Sequence, residues 1–93
     1  MSEETVKRRL LRAKRRATDK LIKVGYKIIQ SDNNFFCIIA TREREIRMIR
    51  VVIDKITEQD IEIIKDWQHP GTCSKEIWCK NLGSQNFEIK EIL

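Results

Sequence analysis

The stretch FCIIATREREIRMIRVVID, residues 36–54, places a thiol at Cys37 and a guanidinium at Arg50 inside two otherwise apolar runs. A long cation among isoleucines and valines needs a partner, because an unpaired buried charge is strongly unfavourable. Three readings of Arg50 are open. It pairs with a nearby carboxylate such as Glu88 or Glu91, it snorkels past a sheet edge, or it meets a bound phosphate through a charge-assisted contact. The acids Asp32, Glu43, Glu45 and Asp54 bracket these runs and could supply a magnesium site. His69, Cys73 and Cys79 have a loosely zinc-like composition, but the spacing is not a standard ligand pair and no fourth ligand is evident. Cys37 with His69 has the composition of a nucleophile–base pair. Its apolar neighbours favour burial of Cys37 as a small hydrophobe.

A second group of chemistry-bearing residues lies at the start of the chain. Residues 1–23 hold nine Lys or Arg against three acids, whereas the rest holds ten against eleven. The whole positive excess, +5 overall, therefore sits in this segment. Arg8, Arg12, Arg15, Arg16 and Lys20 fall at spacings that share adjacent helical turns. Such a row would contact a polyanion backbone, giving affinity with little sequence information. Aromatic residues are few, and no stacking platform for single strands is visible, so duplex or branched nucleic acid is the expected partner.

The elements that must position these groups can be read from periodicity. Val6, Leu10, Ala13, Ala17, Leu21 and Val24 recur at three- and four-residue steps, widened by Leu11 and Ile22, and predict a helix over about 3–24. Gly25 stops it. Strands are expected at about 26–31, 35–41 and 45–53, with DNN and the glycine-free REREI as turns. In the third strand Ile46, Met48, Arg50 and Val52 share one face, and Ile49, Val51 and Ile53 the other. Thr57 followed by Asp60 reads as a capping box opening a helix over about 57–67 that buries Ile61, Ile64 and Trp67. After the loop around Pro70 and Gly71, strands are expected at about 75–81 and 86–92, separated by LGSQ.

Ninety-three residues accommodate one domain, 1–93, and a modest core. A 41% hydrophobic and 35% charged composition is globular. No run of about 18 apolar residues is present, so a membrane span is not expected. The charged N-terminal segment lacks a signal-peptide core, which predicts an intracellular, cytoplasmic protein. Three cysteines are an odd and sparse set that does not suggest a disulfide framework, so reduced thiols are expected.

The order helix, three strands, helix, two strands resembles the restriction-endonuclease-like fold of the PD-(D/E)XK nucleases, above all the compact archaeal Holliday-junction resolvases. LIKVGYKIIQS is similar to the helix end and strand that precede the active site there. FFCIIATREREIRMIRVVIDKIT is similar to the two active-site strands, TEQDIEIIKDW to the next helix, and KEIWCKN with NFEIKEI to the closing strands. The resemblance implies an α/β class, a central mixed sheet flanked by two helices, and often a homodimer. In that family an Asp on one strand and an acid and a Lys on the next hold Mg²⁺ and position water. Here the matching positions are Cys37, Arg50 and Val52. A thiol is a poor magnesium ligand and a guanidinium repels the ion. The resemblance therefore implies a catalytically silent domain without a cofactor. It would bind nucleic acid through Arg8, Arg12, Arg15, Arg16 and Lys20, with Arg50 as a secondary contact. Two further classes remain open: a divergent magnesium endonuclease with a relocated acidic site, and an adaptor that docks an acidic protein through the basic helix.

Overall fold

A computed structural model describes residues 3–32, 36–66, 73–81, 83–84 and 86–92 of the chain. The elements are α1 (Glu3–Lys23), β1 (Lys27–Asp32), β2 (Cys37–Arg42), β3 (Glu45–Ile53), α2 (Glu58–Lys65), β4 (Cys73–Lys80) and β5 (Phe87–Ile92). One sheet contains all five strands in sequence order. Neighbours are antiparallel except β3 and β4, which run parallel and are joined through α2. The protein is thus a mixed α/β domain: one five-stranded mixed sheet and two helices. Trp67, His69, Pro70 and Gly71 lie outside the described residues, as does most of the DNN turn.

Helix α1 ends where the sequence supplies an end. Gly25 takes φ +97°, a conformation costly for any residue with a Cβ. Gly25 N–H donates to Ile22 O at 3.0 Å and Tyr26 N–H to Leu21 O at 2.9 Å, the paired bonds of a Schellman stop. Tyr26 and Leu21 then meet in the same core cluster. The expected apolar stripe holds at Ala13, Ala17 and Leu21, all buried. It fails at Val24 and Ile22, which are 57% and 55% exposed. Val24 lies past the last helical residue, and Ile22 has rotated off the packed face. The two alanines let the α1 backbone approach the sheet closely, against Ile38, Ala40, Ile49 and Val51.

Strand β3 is buried on both faces with the predicted alternation. Ile49, Val51 and Ile53 join the cluster under α1, while Val52 joins Ile64, Ile77, Cys79 and Ile92 under α2. The helices do not cover equal areas. α1 packs over β1, β2 and β3, and α2 over β4 and β5 on the opposite face. Among the described residues, two diagonal half-faces therefore have no helix packed over them. Ile29 is 59% exposed for this reason, and the register slip between Ile28 and Gln30 sets it in a bulge of the edge strand.

Thr57 caps α2 as expected. Its hydroxyl accepts from Asp60 N–H at 3.2 Å, and the Asp60 carboxylate accepts from Thr57 N–H at 3.0 Å. α2 ends at Lys65, two residues earlier than the sequence suggests, with Ile64 fully buried. The β2–β3 hairpin closes through only Glu43 and Arg44, since Arg42 pairs with Glu45. Glu43 sits at φ +54°, a position that the twist of a tight hairpin usually assigns to glycine. Glu43→Gly is expected to stabilise the protein by about 0.5–1 kcal/mol, read as a higher urea midpoint at unchanged slope.

Candidate nucleic-acid interface

The site begins with α1, whose packed face turns the remaining circumference to solvent. Arg8, Arg12, Arg15, Arg16 and Lys20 are all exposed. Arg8 lies 3.6 Å from Glu4 one turn away, a highly exposed pair of little energetic weight. Among the described residues none of Arg12, Arg15, Arg16 and Lys20 is in an ion pair. Two other cations of the segment play a different part. Arg9 is a tether: its guanidinium donates to Asp54 Oδ1 at 2.7 Å and Oδ2 at 3.3 Å, tying α1 to the end of β3. Lys14 is buried, its ammonium 2.7 Å from Ser31 Oγ. Burial lowers its pKa, and the charge of Asp32 works against that shift.

Cys37 and Arg50 face each other directly across β2 and β3. Burial pushes the Cys37 thiol up to about 12, with the Arg50 charge and hydrogen bond only partly offsetting it. At neutral pH Cys37 is a neutral thiol, unsuited to attack or to metal binding. Arg50 donates from Nε and Nη2 to Asp60 Oδ1 at 3.3 and 3.2 Å, and both side chains are 15% exposed. The carboxylate that meets it is therefore Asp60, not Glu88 or Glu91. Those two acids lie on β5, with β4 between that strand and β3. Val52, the third position that the resemblance singles out, is buried under α2. A cleft of about 430 Å³ opens beside Arg50, edged by Leu10, Phe36, Asp54 and Thr57.

The acids considered for a relocated metal site are not brought together. Glu43 and Glu45 stand at the hairpin turn. Asp32 lies near the opposite end of the sheet, and Asp54 lies beyond the far end of β3, nine residues or roughly 30 Å from Glu45. Glu45 accepts from the Tyr26 hydroxyl at 2.6 Å, which holds its pKa below the usual range. Among the described residues no group of three or more His, Cys, Asp or Glu is placed to hold a metal ion. Cys73 and Cys79 occupy opposite ends of β4, roughly 20 Å apart along the strand, and cannot share an ion. His69 lies outside the described residues.

No family model, curated protein or solved structure matches the chain. Among the described residues, no helix is long and apolar enough to cross a membrane.

Sequence reasoning missed the strongest polar network. Glu76, 5% exposed, accepts from Arg47 through both guanidinium arms, from Ser74 Oγ at 2.8 Å and from Trp78 Nε1 at 3.1 Å. The Arg47 guanidinium also lies 5.2 Å from the Tyr26 ring centroid and 5.3 Å from that of Trp78. Arg42 stacks on Tyr26 at 4.5 Å and donates to Val24 O at 2.9 Å. Arg47 and Glu76 are 29 residues apart, and only the parallel pairing of β3 with β4 brings them together. The visible signal was Arg47 itself, a second cation in the same strand as Arg50.

Burial pushes the Glu76 carboxyl up, but the bonds from Arg47, Trp78 and Ser74 and the Arg47 charge outweigh it, leaving its pKa lowered. A depressed folded-state pKa stabilises the fold above the unfolded-state value, near 4.3, and the gain fades as pH falls through the folded value. Glu76→Gln should cost about 2–3 kcal/mol at pH 7, because the half-buried Arg47 loses its counter-charge. Urea melts from about pH 6 to pH 3 should show the wild type losing stability on acidification. Glu76→Gln should lose less over the same range.

Proposed function

We propose that the chain is a nucleic-acid-binding domain, built on a restriction-endonuclease-like scaffold whose nuclease site is degenerate and silent. Its basic helix contacts the phosphate backbone of duplex or branched DNA. The observation that carries this reading is the exposed row Arg8, Arg12, Arg15, Arg16 and Lys20 on α1, whose last four members are in no ion pair among the described residues. A row so placed presents charge without base-reading geometry, which suits backbone contact. The scaffold assignment is supported by the element order and by the antiparallel pairing of β2 with β3. That pairing sets Cys37 beside Arg50, and the resemblance implies an acid pair for metal at these two positions. With Arg50 neutralised by Asp60, the helix carries the binding and Arg50 contributes at most weakly. A homodimer is the assembly the resemblance implies.

The test is salt dependence. If the five cations neutralise phosphate charge, by direct contact or at longer range, log Kobs should fall with log[salt] at a slope of up to about −4 to −5. Duplex affinity should then drop roughly 10²–10³-fold between about 50 mM and 200 mM salt, read by fluorescence anisotropy. A flat response, or no binding at the lower salt, overturns the proposal. Plasmid cleavage under Mg²⁺ that vanishes in Asp54→Ala would mark a divergent endonuclease instead.

A further inference from the structure

A groove of about 160 Å³ runs between α1 and the end of β4, lined by Arg9, Arg12 and Arg16 from the helix and Lys80 from the sheet. Ala13 and Ile53 form its apolar floor. Its charge is uncompensated from within. Arg9 is neutralised by Asp54 at 2.7 Å. Lys80 Nζ donates to Ser84 O and Asn81 O, which fix the ammonium in place but carry no charge. Arg12 and Arg16 are one helical turn apart on the same side, a spacing at which like charges repel. The described lining contains no carboxylate, unlike the cleft beside Arg47, which holds Glu45 and Glu76, and the one beside Arg50, which holds Asp54 and Asp60.

Three net cations arriving from two elements around an apolar floor have a definite chemical complement. The volume admits several waters, hence a phosphate group with part of its hydration shell. Guanidinium forks match phosphate oxygens, and the apolar floor strengthens each charge-assisted bond. We propose that this groove binds one phosphate group, held by Arg12 and Arg16 from α1 and by Lys80 from β4. The proposal rests on the nucleic-acid reading only for the source of that phosphate, a backbone diester. It ranks the cations: Arg12 and Arg16 grip, whereas Arg8 and Arg15, outside the groove, contribute only long-range attraction.

The experiment measures duplex DNA binding by single variants of the full chain and follows inorganic phosphate titrated into the wild type by amide NMR shifts. Arg12→Ala and Arg16→Ala should each weaken duplex binding about tenfold, the scale of one charge-assisted contact, and Arg8→Ala and Arg15→Ala by less than about twofold. Lys80→Met should fall with the first pair. Arg12 and Arg16 are exposed, so their variants test the site even if Lys80→Met disturbs the turn it bonds. Phosphate should shift the Asn81 and Gly83 amides in the wild type and not in Arg12→Ala. Equal losses across all four arginine variants, with no phosphate shifts, would overturn the groove while leaving the helix reading intact. Phosphate shifts at Asn81 and Gly83 without duplex binding would support the groove and remove nucleic acid as the source.

Discussion

The pairing of half-buried Arg47 with buried Glu76 sets the terms for the face of the sheet under α1. A carboxylate there is tolerable only with its lone pairs filled, and Arg47, Ser74 and Trp78 fill them. The bonds can form only if β3 and β4 are adjacent, parallel and in the observed register, with Arg47 opposite Ser74. A slip by one residue would turn Glu76 to the other face and strand both charges. The pair also orders its surroundings. Tyr26 is sandwiched by Arg47 and Arg42, so the Schellman stop of α1 is anchored to the middle of the sheet. The position of the basic helix thus follows from an ion pair that is not on it.

On the opposite face the same strand repeats the device with Arg50 and Asp60. β3 therefore carries one half-buried arginine toward each layer, and each finds its carboxylate on a different later element. Arg9 with Asp54 adds a third tie at the strand's end. Several cations of this chain hold it together, among them Arg9, Lys14, Arg42, Arg47 and Arg50, whereas Arg12, Arg15, Arg16 and Lys20 face solvent along α1. That division makes the surface row informative, because structural demand for positive charge is already met elsewhere.

Much of this was legible in the residues. The element order, the two faces of β3, the capping box at Thr57 and Asp60, and the stop at Gly25 are local signals, each set by neighbours a few positions away. What stayed hidden was decided by pairing between distant segments. Glu76 reads as an ordinary strand acid until β4 lies beside β3. Lys14 reads as one more surface cation until Ser31 meets it. Glu88 and Glu91 were plausible partners for Arg50 only while the strand order was unknown, because β4 separates them from β3. Ile22 reads as a core residue because periodicity does not reveal how wide a stripe of α1 the sheet covers.

Asp60 closes the start of α2 with one carboxylate oxygen and receives Arg50 with the other. Helix initiation and compensation of a strand charge thus share a single side chain. Unravelling of the first turn of α2 would part Arg50 from its counter-charge, so partial opening there costs more than ordinary fraying of a helix end. Amide protons at the beginning of this eight-residue helix should consequently exchange with solvent more slowly than those of an uncapped, frayed terminus.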